Sequence, residues 1–400
     1  MRFPEFHGEW EKCKVSDLLD FYSTNSLSWD QLEYGTDNML NLHYGLIHVG
    51  LPTMVDLSKD ILPAIKKENE PKNFELCKEG DIAFADASED TNEVAKAIEF
   101  YTLEDKAVVC GLHTIHGRDK SNKTVVGYKG YAFSSTAFHH QIRRIAQGTK
   151  IYSISAKNFA ECYIGIPSKE EQTKIAKLLR LIDERIATQS KLIEDLKKLK
   201  SAIIDYAINS LDTDFAKFGS LYEMAGEGGT PKTSNASFYD NGKIPFVKID
   251  DLKKKYLTEN NDFITELGLQ KSSAWLVPTR SILFSNGATI GEITITTYPV
   301  CTKQGILGIV PKPNIDVEFL YYFMSSSYFK KAVSHIVTEG TMKTVYLKDI
   351  NNIRCPIPTK EKQLDIAKMP SALNSKIDFE QSILKLFGSQ KQYLLRQMFM

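Results

Sequence analysis

Two stretches of this chain share one spacing of apolar and polar positions. In the first, Ile175, Leu179, Ile182, Ile186, Ile193, Leu196 and Ile203 recur at steps of three, four or seven; in the second, Ile366, Leu373, Ile377, Leu384, Phe387 and Leu394 keep the same phase. That spacing lays an apolar seam along one helix face, the pattern of a coiled coil. The texts IPSKEEQTKIAKLLRLIDERIA and IPTKEKQLDIAKMPSALNSKID align without a gap at an offset of 191 residues, so Pro167 falls on Pro358, Gln172 on Gln363 and Ile186 on Ile377. Even the interruptions coincide, Gln189 with Glu380 and Lys200 with Lys391. Ser168 and Thr359 stand where a hydroxyl can cap the first turn. A helix that packs only on its own domain has no need of a twin in matching phase.

The same ruler reaches upstream. FSSTAFHHQI at 133–142 falls on FMSSSYFKKAV at 323–333, matching Ser134 with Ser325, Phe138 with Phe329 and His139 with Lys330. Gly148-Thr149 and Gly340-Thr341 correspond with a slip of one, each followed by a lysine, Lys150 or Lys343. The chain therefore reads as a pseudo-twofold tandem of α+β type. Globular mixed α/β parts are expected at 1–166 and 212–356, and long helices at 167–211 and 357–400. Strands are expected in GDIAFADAS, KAVVCGLHTI, IPFVKI, SILFSNG, GEITITTYPV and QGILGIVPK, short helices over 134–147 and 317–333, and a loop over 227–243. Pro370 stands where the first helix has Leu179. Proline inside a helix costs about 3 kcal/mol, so the second helix is expected to break near Ser371.

Composition adds limits. With 42% hydrophobic and 25% charged residues, no run of eighteen apolar positions and no signal-peptide core, the chain reads as a cytoplasmic protein without a membrane partner. Its six cysteines, Cys13, Cys77, Cys110, Cys162, Cys301 and Cys355, form no CxxC pair and are expected as buried free thiols. Net charge is zero, yet within 120–167 seven Lys or Arg residues face a single acid, Glu161. Only such local excess bears on phosphate binding.

A search for catalytic chemistry returns nothing specific. GxSxG, P-loop and HExxH motifs are absent, as are a glycine-rich fingerprint and the Asn/Asp-Pro-Pro-aromatic signature of amino methyltransferases. Asp250-Asp251 near Lys253 is the nearest approach to a nuclease centre and reads better as a turn. Cys110, His113 and His116 are the best metal candidates; on one strand His113 would point away from the other two, so no metal site and no catalytic residue is expected. Distributed polar residues on loops fit DNA contacts better, with lysine and arginine on phosphate and bidentate side chains on base edges. The candidates in the second half are Thr230, Lys232, Thr233, Lys248, Asp250, Asn286, Thr289, Lys303, Gln304, Thr341 and Lys343, and in the first half Tyr44, His113, Lys123, Arg143, Arg144, Thr149 and Lys150.

The helix text P-x-x-x-E-Q-x-x-I-A (Pro167, Glu171, Gln172, Ile175, Ala176), continued by Leu179, Ile182, Asp183 and Ile186, resembles the specificity subunit of type I restriction–modification systems. GGTP (Gly228 to Pro231), IPF (Ile244 to Phe246), Asp251-Leu252 and GATIG (Gly287 to Gly291) with the downstream Gln304 resemble its recognition domains. Lys362 departs from the pattern where the first copy has Glu171. The resemblance implies two target-recognition domains separated by two long antiparallel coiled-coil helices, each domain reading half of a split sequence in double-stranded DNA. A helix of about 30 residues spans about 45 Å, against about 34–36 Å for one DNA turn. It also implies a subunit without catalysis of its own. Two modification (methyltransferase) subunits would dock on helix faces such as Lys174, Arg185, Lys197, Ile204 and Tyr206. S-adenosylmethionine, ATP and Mg²⁺ would belong to these and to the restriction (translocase and endonuclease) subunits. The competing readings are a methyltransferase or nuclease with its own recognition domain, disfavoured by the missing motifs, and a tandem protein-interaction scaffold that binds no DNA.

Overall fold

The computed structural model describes all residues except 37, 288, 338–342 and 400. The chain divides into two compact units, Met1–Ser190 with Ile383–Met400 and Lys191–Ser382. This division does not follow the four stretches expected from sequence. It cuts both long helices, the central one at Lys169–Asn209 and the terminal one at Lys360–Gln397. Each unit thus takes a globular part, the start of the helix that follows it and the end of the other helix.

Each globular part is built on a five-stranded sheet. The strands are Leu19–Tyr22, Met54–Asp56, Ile82–Ala85, Ala97–Thr102 and Thr114–Asp119 in the first unit. In the second they are Tyr222–Glu227, Tyr256–Leu257, Ile282–Ser285, Ile293–Thr296 and Ile306–Pro311. Taken in chain order, both sets lie as first, fifth, third, fourth, second, and in both the second strand runs parallel to the fourth while the other neighbours are antiparallel. The third strand, central in each sheet, reads IAFA or ILFS and is buried at all four positions, as a strand covered on both faces must be. The short helix expected over 134–147 is Thr136–Ile145, with a further helix, Lys129–Phe133, directly before it, whereas the one expected over 317–333 is split into Val317–Ser325 and Ser327–Ile336. The boundary falls at Ser135 and Ser326, whose hydroxyls accept the N–H of Phe138 and Phe329 and so start a fresh helix.

The glutamine of the repeated helix text has a definite task. Gln172 is fully buried; its Oε1 accepts the N–H of Val125 at 2.9 Å, while Nε2 donates to Lys123 O at 3.0 Å and Pro167 O at 2.9 Å. Gln363 repeats this with the N–H of Asp316 at 2.7 Å, Asn314 O at 3.2 Å and Pro358 O at 2.9 Å. One side chain satisfies three backbone groups and fastens each helix to its globular part. Ser168 and Thr359 cap the same turns, accepting the N–H of Glu171 and Lys362. Buried Glu171 is held by Arg2 at 2.6 Å, whereas Lys362 is exposed, so the Glu-to-Lys departure follows from a partner that the first unit has at its N-terminus.

Every seam position is buried or half-buried. In the first unit Ile175, Leu179 and Ile182 join the globular core together with Leu394, Leu395, Met398 and Phe399; in the second Ile204, Ile208, Ile366 and Ala367 do so. Ile204 was expected on a docking face, but it points inward and is 4% exposed. Ile193 and Ile377 lie outside those clusters and are still buried, which an isolated helix could not achieve. The pairing is antiparallel within each unit. In the first, Asp183 meets Lys391 at 2.6 Å while Arg185 lies over Phe387 at 5.1 Å; in the second, Lys200 donates to Asn374 at 2.9 Å.

The break expected at Pro370 does not occur, since the terminal helix is continuous through it. The proline is buried, and the next residue, Ser371, donates to Glu318 at 2.8 Å and bonds Lys255 at 2.9 Å and Tyr322 at 3.1 Å. Burial of the ring and this anchor to the globular part outweigh the lost backbone bond. Among the described residues, no helix is long and apolar enough to cross a membrane.

Candidate nucleic-acid interface

Beside each five-stranded sheet a short parallel pair ends in a turn. In the first unit Leu40–Leu42 runs parallel to Val108–Cys110, and in the second Ile244–Val247 runs parallel to Cys301–Thr302. The chain then turns through 111–113 or 303–305 before entering the last sheet strand. Gly111 N–H donates to Leu42 O at 2.8 Å, and Lys303 N–H to Val247 O at 2.9 Å. Asp86 N–H donates to His113 O at 3.1 Å, and Asn286 N–H to Gly305 O at 3.0 Å. His113 and Gly305 both have positive φ, 55° and 91°. The turn requires the left-handed region, where glycine is unstrained and histidine is an uncommon occupant. Two turns of identical construction therefore carry different side chains.

In the first unit the turn brings His113 and Tyr44 together, with ring centroids 5.3 Å apart. His113 is half-exposed, and its Nδ1 lies 3.1 Å from Asp86 Oδ1. Behind Tyr44 stand His43 at 4.7 Å and, against His43, Trp29 at 4.4 Å. Burial, aided by His113, holds the His43 imidazole below its ordinary pKa, and Nδ1 accepts the N–H of Gly45 at 3.2 Å. The result is a cluster of rings, tilted by 34–35° along Trp29, His43 and Tyr44 and edge-on between Tyr44 and His113, with a polar edge able to hydrogen-bond.

The strand Tyr152–Ser153 pairs with Ala87–Ser88, next to Asp86, so the exposed loop carrying Thr149 and Lys150 is tied to the stretch that holds His113. Arg143, exposed on the same short helix as Arg144, donates to Asn92 at 3.0 Å in that region. Lys123 does not join them. It pairs with Glu11, and its carbonyl belongs to the Gln172 clamp at the helix root.

In the second unit the group is denser. Gln304 N–H donates to Thr230 Oγ1 at 3.2 Å and Gly305 N–H to Glu227 at 3.0 Å, which seats loop 228–233 on the turn. Only glycine fits there, since a Cβ on Gly228 would come within 2.2 Å of Thr302 Oγ1 and one on Gly229 within 2.3 Å of Ser273. The side chains of Lys232, Thr233, Lys303, Gln304 and Thr289 face solvent. Lys248 follows the strand end and pairs with Asp262 at 2.7 Å, while exposed Asp250 pairs with Lys253 at 3.0 Å. Asn286, expected on the surface, is instead buried. Its Nδ2 donates to Val345 O at 3.1 Å and its backbone carbonyl accepts Val345 N–H at 3.0 Å, holding the segment that carries exposed Lys343. Thr341 lies outside the described residues.

Sequence reading did not single out Asp86, Trp29, Glu227 or Asp262, which orient or back these side chains. The usable signal was the repeat, continued with its one-residue slip from His113 to Gly305. The supposed Cys110, His113 and His116 trio is divided by the same turn. His113 goes to the surface, whereas Cys110 and His116 go inside, where they meet Cys77, a residue 33 positions upstream of Cys110.

The model of the family described as "Type I restriction modification DNA specificity domain" matches residues 8–198 and again 212–386. A putative type I restriction enzyme MjaX specificity subunit from Methanocaldococcus jannaschii is 23% identical over 399 residues, covering 94% of this chain and 89% of the relative. The MjaIX specificity subunit of the same organism is 25% identical over 253 residues, 58% of each chain. The crystal structure of a type I restriction–modification S subunit from M. genitalium covers 100% of this chain and 99% of its own, with a TM-score of 0.56 at 17% identity.

Proposed function

Since the chain belongs to the family of type I restriction–modification DNA specificity domains, and carries two copies, we propose that each globular part reads one half of a bipartite target in double-stranded DNA. One observation carries this reading: the turns at 111–113 and 303–305 share backbone, hydrogen bonds and positive φ, yet present His113 with Tyr44 in one unit and Lys303 with Gln304 in the other. A common frame with divergent polar tips suits two different half-sequences. Gln304 is assigned to a base edge, and Lys232, Lys303, Lys343, Arg143, Arg144 and Lys150 to phosphates. Asn286 supports the surface from beneath, and Lys123 secures the helix root.

The subunit would act in the cytoplasm without chemistry of its own. Methyl transfer, with S-adenosylmethionine, belongs to two modification subunits, and ATP- and Mg²⁺-dependent translocation and cleavage to restriction subunits. The long helices offer a docking surface beyond their seam. Leu192, Leu199 and Tyr206 on the central helix, and Phe379, Leu386 and Tyr393 on the terminal helix, are exposed at seven-residue intervals. Apolar stripes of that kind mark a protein partner.

Selection from random duplex pools, with and without a modification subunit, tests the reading. A split consensus is expected, and indifference to DNA at low salt would sink it. Gln304→Ala is expected to relax one or two positions in one half only, by about 1–3 kcal/mol, while Lys232→Ala weakens all sequences alike and lowers the salt slope by about 1. Altered preference in both halves after Gln304→Ala would refute the assignment of that residue.

A further inference from the structure

Beneath the His113 turn lies a group of side chains that DNA reading does not use. The Sγ atoms of Cys77 and Cys110 are 3.6 Å apart, and with a nitrogen of His116 the three donor atoms lie within 4.8 Å of one another, all buried. His116 Nε2 sits 2.8 Å from Asp81 Oδ2, and Arg118 holds Asp81 in place with contacts of 2.9 and 2.8 Å. His116 Nδ1, also buried, has no hydrogen-bond partner among the described residues. A buried polar nitrogen left unpaired carries a cost that native structures rarely accept without a purpose.

The second unit supplies the control. Cys77 N–H donates to Val108 O at 2.8 Å, as Val277 N–H does to Val300 O. Cys110 precedes the first turn as Thr302 precedes the second. His116 is paired with Ala83 on the central strand, as Gly308 is paired with Leu283. The same place in the twin thus holds Val277, Thr302 and Gly308, and a Cβ on Gly308 would fall 2.6 Å from Val277 and 2.8 Å from Trp275. The fold fills this volume in the second unit with an indole and a valine; Trp275 Nε1 and Thr302 Oγ1 are buried there without a partner among the described residues as well, so what sets the first unit apart is the pair of thiols beside its imidazole. Two thiols and an imidazole backed by a carboxylate and a guanidinium are therefore not demanded by the fold.

We propose that Cys77, Cys110 and His116 bind one soft divalent metal ion, zinc(II) by choice of donors. Two thiolates and a neutral imidazole are a zinc set, and Zn–S bonds of about 2.3 Å in a tetrahedron place two sulfurs about 3.8 Å apart. A disulfide would require about 2.05 Å. Nδ1 is the nitrogen available to the ion, while the bond from Nε2 to Asp81 orients the ring, the usual arrangement behind a metal-bound histidine. Each thiol gives up its proton to solvent as its sulfur binds, two protons per ion, and the fourth position is left to a water. The ion joins the segment at Cys77 to both ends of the reading turn, Cys110 before it and His116 after it, and so stiffens the platform under His113.

Full-length protein produced with zinc, desalted under reducing conditions and assayed for acid-released metal is expected to hold about one zinc per chain. Exchange with cobalt(II) is expected to give a thiolate-to-cobalt charge-transfer band and tetrahedral d–d bands. The double variant Cys77→Val/Cys110→Thr carries the twin's residues and should lose both signals with unchanged far-ultraviolet circular dichroism, whereas Cys301→Ser should retain them. Should the double variant fail to fold, His116→Gln, which can still bond Asp81, is expected to lose the tetrahedral cobalt spectrum. Full-length protein free of zinc and cobalt, a variant that still binds one ion per chain, or a loss of two titratable thiols through a Cys77 to Cys110 disulfide would overturn the proposal.

Discussion

Gln172→Leu is expected to destabilise the first unit by about 2–5 kcal/mol, and Gln363→Leu the second by a similar amount. Leucine nearly matches the volume of glutamine, so packing loss is small and the effect isolates the hydrogen bonds. In each case one backbone N–H and two carbonyls lose their partner at once. An orphaned buried polar group costs about 1–3 kcal/mol, against about 0.5–1.5 kcal/mol for an ordinary hydrogen bond. Some of the three groups are only partly buried, and water will recover part of the loss. Hydrogen exchange followed by mass spectrometry resolves the units separately. Protection should fall in the strands of the first unit for Gln172→Leu and of the second for Gln363→Leu. A change below about 1 kcal/mol in both would mean that the clamp is ornamental and that the helices are held by their apolar seams alone.

Inserting four residues after Gln189 should lengthen the preferred gap between half-sites by about one to two base pairs and leave both half-sequences unchanged. Four helical residues add about 6 Å, and base pairs rise about 3.4 Å. A seam stepping by threes and fours admits a four-residue insertion as a local change of winding. The insertion lies in the helix and touches neither turn, so the groups assigned to bases keep their places. Binding to duplexes that share both half-sites and differ only in spacer length measures this directly. An altered half-sequence, or an optimum that does not move, would contradict the role of the helices as a spacer.

The long helices were legible because a periodic apolar pattern is a local property, and two copies in one phase exclude coincidence. The strands were legible for the same reason, as short apolar runs between glycines. Pro370 shows where local rules give way. The cost of a proline is intrinsic, but Ser371, Glu318, Lys255 and Tyr322 meet only in the folded unit, and that set cannot be read from a window of sequence. Ile204 was misplaced by one helix position for a similar reason: period alone leaves the width of the buried stripe undetermined.

The candidate interface divides along the same line. Composition and loop residues pointed to Thr230, Lys248, Gln304, Tyr44 and His113, and the repeat predicted that the two halves would be built alike. Tertiary structure decided that Asn286 lies inside, that Lys123 serves the helix root, and that His113 and Gly305 occupy one backbone position in two copies of one turn. It alone joined Cys77 to Cys110 and His116 across 33 residues of chain. The sequence by itself determined the tandem, the helices, the strands and the family, all of which rest on periodicity and on motifs continuous along the chain. Which polar groups meet, which face solvent and which are buried depends on long-range strand pairing, and no local pattern carries that information.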